Sequence, residues 1–199
     1  MGAVRVLFGM FCLAGVCSSG VFSGGTVGDG TGNREIATRR SAPRNDAKRV
    51  IEIARREIGV MEKGCQNCGA AVEGYLDYVG IKTPAPWCAA WVSWVYGQAG
   101  YGEPRTAWSP ALFPKERVVN LDPSHARDDK TGLVFGIYFP HLKRIGHCGI
   151  VERLQGDFVV SIEGNTNMNG GREGDGVYRK LRHKRTIAKY ADWIRPVPP

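Results

Sequence analysis

The chain has 199 residues, of which 43% are hydrophobic and 23% charged, the composition of an ordinary globular protein. That length favours one domain with extensions and is enough to bury a core without covalent staples. The formal charge of +8 suits an anionic setting such as an acidic polymer or membrane surface, but no basic run is interleaved with aromatics as in a nucleic-acid module, so no nucleic-acid partner is expected.

Met1 to Arg5 carries one positive charge, Val6 to Cys17 is an apolar run, and Ser18, Ser19 and Gly20 are small. Residues 1–20 therefore read as a secretory signal peptide, too short for a confident transmembrane span. Leu13-Ala14-Gly15-Val16-Cys17 also looks like a lipobox, which makes Cys17 a candidate for an N-terminal lipid anchor and leaves membrane contact to that anchor alone. The expected location is secreted or cell envelope. Residues 21–44, rich in Gly, Ser, Thr and Arg without periodicity, read as a flexible tether, and the folded domain is expected over 45–199.

Asn45-Asp46-Ala47-Lys48 offers an N-cap, and Val50, Ile51, Ile53, Ala54 and Ile58 recur at helical spacing up to Gly59. Ala71, Val72, Tyr75, Leu76 and Val79 predict a second helix ending at Gly80. A third follows Pro84 and Pro86, running without a breaker from Ala89. Gly100 to Gly132, interrupted by four prolines, predicts a long covering segment with one short helix at most. Leu133 to Phe139, Gly146 to Leu154, Asp157 to Ile162 and Gly176 to Leu181 then read as short strands. Helices first and antiparallel strands afterwards predict an α+β domain.

Cys88 falls in the first turn of the third helix. Unpaired backbone N–H groups and the positive end of the helix dipole stabilise a thiolate there, and the same N–H groups can cradle an oxyanion. A buried apolar cysteine is the competing reading of Cys88 taken alone.

The hairpin downstream strengthens the catalytic reading. With Leu154-Gln155-Gly156 as a three-residue loop, Arg153 is expected opposite Asp157, Val151 opposite Val159, Gly149 opposite Ser161, and His147 opposite Glu163. One face then carries Cys148, Ile150, Phe158, Val160 and Ile162, and the other His147, Gly149, Val151, Val159, Ser161 and Glu163. With the Cys88 helix on the second face, thiol, imidazole and carboxylate meet as nucleophile, general base and orienting group. Asn165 would orient the imidazole or bind the oxyanion. His125, His141 and His183 compete for the base, but each lies in a charged or proline-flanked stretch without a facing acid.

Pro86-Trp87-Cys88-Ala89-Ala90-Trp91-Val92-Ser93-Trp94, Gly146-His147-Cys148-Gly149-Ile150-Val151-Glu152 and Ile162-Glu163-Gly164-Asn165-Thr166-Asn167 together resemble the CHAP family of cysteine, histidine-dependent amidohydrolases and peptidases, over about residues 47–196. The resemblance implies a papain-like fold in which N-terminal helices carry the nucleophile onto an antiparallel sheet. It further implies hydrolysis of amide bonds in bacterial peptidoglycan by Cys88 and His147, with Glu163 and Asn165 in support, and no cofactor or metal. Two departures stand out: Cys148 beside the histidine, and no acidic residue after the glycine of the strand Leu133 to Phe139.

Cys65 and Cys68 form a lone CxxC, open to a short disulfide, a redox pair or half of a zinc site. With no second pair of ligands, a disulfide or free thiols stand ahead of metal. Cys148 reads as a core residue. Two competing functions keep the fold: a non-catalytic wall-binding module, and a cysteine protease acting on proteins.

Overall fold

A computed structural model describes residues 43–120, 130–169 and 173–196. The expected signal peptide, Cys17, nearly all of the tether and His125 lie outside the described residues. Three α-helices come first: α1 (Pro43–Arg56), α2 (Ala70–Tyr78) and α3 (Cys88–Gln98). A 3₁₀ turn at Ser109–Leu112 follows, and then the sheet: β1 (Val118–Val119), β2 (Val134–Phe139), β3 (Arg144–Gln155), β4 (Phe158–Thr166), β5 (Gly176–His183) and β6 (Lys189–Ala191). The six strands run in the order β1-β6-β2-β3-β4-β5, with every neighbouring pair antiparallel. The molecule is therefore α+β, helices before sheet. Among the described residues no helix is long and apolar enough to cross a membrane.

Helix α1 starts two residues before the expected boundary, at Pro43, so Asn45 lies inside the first turn and not at its cap. Proline suits that position because its missing N–H is unpaired there in any case, and its φ is already helical. The helix buries Ala47, Val50, Ile51 and Ala54, and stops at Arg56. The chain then runs antiparallel to β5: Gly59 N–H donates to the Val177 carbonyl (3.0 Å) and Val177 N–H to the Val60 carbonyl (2.9 Å).

Helix α3 is apolar on most sides because it is covered on most sides. Ala89, Ala90, Trp91, Val92, Val95 and Tyr96 have no exposed surface, and they share the main core with Cys148, Ile150 and Ile162 of the sheet. A side chain at Gly164 would meet Trp91 Cγ at 2.7 Å and Trp87 Cζ3 at 2.8 Å, so a glycine on β4 lets the helix lie against the strand. Truncating Trp91 would cost about 3–5 kcal/mol.

Two sequence expectations are corrected here. The hairpin loop has two residues, Gly156 and Asp157, with Gln155 opposite Phe158. A bulge at Glu152 then shifts the pairing, so that Val151 faces Ser161 and Ile150 faces Ile162. One extra residue in a strand is invisible to a pattern of period two. The second correction concerns the face on which α3 packs. It lies on the Cys148, Ile150 and Ile162 face, where burial of apolar surface is greatest, and not on the face of Val151 and Val159. Those two join Leu133, Phe135 and Tyr190 in a smaller cluster, while Phe158 ends 40% exposed with its ring edge on His183.

Candidate active site

The N-terminus of α3 is anchored from its N-cap residue. The Trp87 indole N–H donates to Glu62 Oε1 and the Asn67 N–H to Glu62 Oε2, both at 2.8 Å. Asn67 lies between Cys65 and Cys68, which form a disulfide with 5.2 Å between their Cα atoms, the first of the alternatives left open by the spacing. The first bond of the helix runs from the Trp91 N–H to the Trp87 carbonyl at 2.8 Å, so the N–H groups of Cys88, Ala89 and Ala90 precede the intrahelical ladder. Trp87 supplies no side-chain cap. Cys88 therefore stands at the positive end of the helix dipole, beside N–H groups outside the intrahelical ladder.

Three side chains act on the Cys88 thiol. Ser109 Oγ lies 3.4 Å from Cys88 Sγ, and Cys148 and His147 lie near enough to bias its ionisation. Ser109 is held in place through its own segment. The Ser93 hydroxyl of α3 exchanges hydrogen bonds with Thr106 (2.9 and 3.0 Å), and the Trp193 indole donates to the Leu112 carbonyl at 3.1 Å. The neighbouring Cys148 thiol does most to lower the Cys88 pKa, burial opposes it, and His147 and Ser109 add to the lowering, so the thiol ends well below its ordinary value.

On the imidazole's far side, His147 Nε2 lies 2.8 Å from Glu163 Oε2. With Nε2 engaged by the carboxylate, Nδ1 is the nitrogen left for the thiol. Burial disfavours the charged ring, but the hydrogen bonds to Cys88 and Glu163 outweigh it and raise the His147 pKa to about 9. For Glu163, burial is overcome by Arg182 and His147, and its pKa falls to about 2. Arg182 donates from Nε to Oε1 at 2.9 Å and from Nη2 to Oε2 at 2.5 Å, and the Ser161 hydroxyl donates to Oε1 at 2.6 Å. The carboxylate is thus saturated, charged and completely buried.

His147 and Glu163 are diagonal neighbours, not the opposed pair expected from the sequence. Gly149 stands level with Glu163 in the observed register. A side chain there would lie 2.7 Å from Glu163 Cγ and 2.8 Å from Phe135 Cε1. Its absence leaves room for the carboxylate to reach two residues along β3 to the imidazole. Since α3 occupies the opposite face, Cys88 is reached where residues 147 and 148 lie side by side, and both bias the ionisation of its thiol.

Three of the four predicted residues, Cys88, His147 and Glu163, therefore come together. Asn165 does not join them. It sits at the irregular end of β4 with φ of 53°, half-buried, and makes no side-chain hydrogen bond among the described residues. Ser161 and Arg182 take the supporting positions around Glu163. His141 is exposed and stacks on Phe139, and His183 accepts from the Arg185 N–H, so neither approaches the thiol. At the rim, Trp108 is 53% exposed and the Arg144 guanidinium lies 4.1 Å from its ring centre.

Ser109 and Arg182 were missed by sequence reasoning. Ser109 is a lone serine in a proline-containing loop, which gives no spacing signal. Arg182 could have been suspected from the alternation Lys180-Leu181-Arg182 on the strand beside Glu163. Among the described residues no cluster of His, Cys, Asp and Glu could hold a metal ion. The arrangement offers a thiol held well below its ordinary pKa, an imidazole able to give and take a proton, and a fixed carboxylate behind it. No protein-family model, curated protein or solved structure matches the chain.

Proposed function

We propose that this chain is a cysteine-dependent amidohydrolase of the CHAP type, with a papain-like arrangement, that cleaves amide bonds of bacterial peptidoglycan at the cell envelope. The observation that carries the reading is the buried Glu163–His147 pair at 2.8 Å, set against a cysteine in the first turn of a helix whose leading N–H groups are uncapped. The CHAP-like motifs support the substrate class, and the apolar leader with the charge of +8 supports an anionic envelope setting.

In the mechanism, the Cys88 thiolate attacks the amide carbonyl carbon, and the new oxyanion is met by N–H groups at the start of α3. His147, protonated in the resting pair, gives its proton to the leaving nitrogen as the C–N bond breaks, leaving a thioester on Cys88. A water then loses a proton to His147 and attacks the thioester, releasing a carboxylate and restoring the thiolate–imidazolium pair. Glu163 holds the ring in one orientation and stabilises its charge throughout.

The test is incubation of the purified chain, wild type and Cys88→Ala, with defined muropeptides, and identification of products by mass spectrometry. Release of intact stem peptide from the sugar makes it an N-acetylmuramoyl-L-alanine amidase, and cut stems or cross-bridges make it an endopeptidase. Loss of Cys88 should lower either activity by about 10⁴-fold or more. No Cys88-dependent product from folded, reduced protein would overturn the reading in favour of a wall-binding module. Hydrolysis of casein at rates comparable to cell walls would favour a protease acting on proteins.

A further inference from the structure

Cys148 has no part in the mechanism above, yet it stands at its centre. It is fully buried on the apolar face of β3, where a small apolar side chain would serve packing equally well. Its sulfur lies 3.9 Å from Ser109 Oγ, and the same hydroxyl oxygen lies 3.4 Å from Cys88 Sγ. Two buried sulfurs thus share one hydroxyl partner. They are the free cysteines of the described residues, alongside the disulfide of Cys65 and Cys68.

We infer that Cys88 and Cys148 form a reversible oxidation site, in which hydrogen peroxide oxidises Cys88 and Cys148 resolves it into an intramolecular disulfide. The chemistry balances in two steps. The Cys88 thiolate attacks one oxygen of the peroxide, the O–O bond breaks, and Cys88 becomes a sulfenic acid while the other oxygen leaves as water after taking a proton. The Cys148 thiol then attacks the sulfenic sulfur, the S–O bond breaks, and the sulfenic oxygen leaves as a second water carrying the Cys148 proton. Two thiols lose two electrons and two protons, and one peroxide becomes two waters.

Three features favour the second step over further oxidation. The resolving thiol lies on the same Ser109 hydroxyl as Cys88, so its attack is intramolecular and does not wait for another peroxide. Cys88 is the first residue of α3, where the helix end can give by the small movement that an S–S bond demands, whereas Cys148 is fixed in β3 between β2 and β4. The dipole and N–H groups that favour the thiolate for attack on a carbonyl favour it equally for attack on peroxide. Oxidation would silence the nucleophile, shield it from irreversible damage, and leave it recoverable by dithiols.

The inference rests on the placement of the sulfurs, and its primary readout needs no substrate. The purified chain, reduced and then treated with hydrogen peroxide, is alkylated, digested and mapped by mass spectrometry. The expected result is a cross-linked peptide pair joining Cys88 to Cys148, lighter by two hydrogens than the two reduced peptides together, and complete return of both free thiols after dithiothreitol. In Cys148→Ala the same treatment should carry Cys88 to a sulfinic acid, two oxygens heavier and not restored by dithiothreitol. Cys148→Ser should behave as Cys148→Ala, which separates loss of the thiol from loss of packing. Oxidation of wild-type Cys88 to sulfinic acid with Cys148 still reduced, or no oxidation of either under peroxide, would overturn the inference. Either result would leave the muropeptide test above untouched.

Discussion

Two glutamates lie buried in this sheet, and comparing their surroundings separates a carboxylate that holds the fold from one that equips the site. Glu152 is 3% exposed and Glu163 not at all, and arginines neutralise both. Glu152 receives Arg55 of α1 at 2.6 Å and Arg179 of β5 at 2.7 and 2.9 Å, which ties the first helix to the sheet. Both arginines are about half exposed and can turn to water. Glu163 receives Arg182, the Ser161 hydroxyl and, at 2.8 Å, a histidine whose ionisation is coupled to that of Cys88. Burial and arginine pairing are common to both, so neither marks function. The titratable partner is what sets Glu163 apart.

The largest effect is expected at Glu163. Glu163→Ala leaves Arg182 and His147 without their buried counter-charge, and should cost about 3 kcal/mol of stability in chemical denaturation. Turnover of muropeptides should fall by about 10²–10⁴-fold, because the imidazole loses both its orientation and its charge partner. Glu163→Gln, which keeps the shape, should recover much of the stability and little of the turnover. Glu152→Ala is the counterpart. Because its arginines are half exposed, the loss should be about 1–2 kcal/mol, with turnover of the folded protein within about twofold of wild type. Equal losses of activity at the two sites would erase the distinction.

The pH response should divide them as well. Glu163, depressed from 4.5 to about 2, contributes stability that is fully present above pH 4.5 and is lost as pH falls toward 2. His147, raised from 6.5 to about 9, contributes stability that is present below pH 6.5 and is lost as pH rises through 9. The same deprotonation removes the proton destined for the leaving amine, so turnover should fall on the alkaline side near pH 9. Glu163→Gln should move that limb toward neutral pH, and Glu152→Ala should leave it in place.

The smallest effect is expected at the rim. The Trp108–Arg144 stack is exposed and touches none of the reacting groups, so Arg144→Ala should raise KM by a factor of about ten or less and leave kcat unchanged. A loss of kcat comparable to that of Glu163→Ala would bring Arg144 into the catalytic set.

Much of this was legible in the chain itself, for identifiable physical reasons. The helices could be read because their apolar spacing and proline or glycine boundaries are strong local signals, and Cys88 could be placed at a helix start because Pro86 precedes it. The strands β2 to β5 were visible for the same reason, whereas β1 and β6, of two and three residues, are too short to show a period. The hairpin register was not legible. Gly156 suits a loop of two residues as well as one of three, and the bulge at Glu152 leaves no mark in the alternation. His147 and Glu163 were nevertheless paired, because a diagonal contact tolerates an error of two in the sum of their positions. Asn165 lacked that tolerance. Its left-handed backbone ends the regular strand, and two-residue alternation cannot carry past such a point.

The central claim is that Cys88 is an activated thiolate paired with His147, and the pH dependence of its alkylation by iodoacetamide tests it without any substrate. Modification of Cys88 should be followed by mass spectrometry in wild type and His147→Ala, at pH values from acid to alkaline. Wild-type Cys88 should react at its full rate well below the pH of about 8.5 at which an ordinary cysteine is half ionised. In His147→Ala the curve should shift toward that ordinary value. A wild-type Cys88 that reacts only as pH passes the ordinary thiol range, with the same curve in His147→Ala, would contradict it.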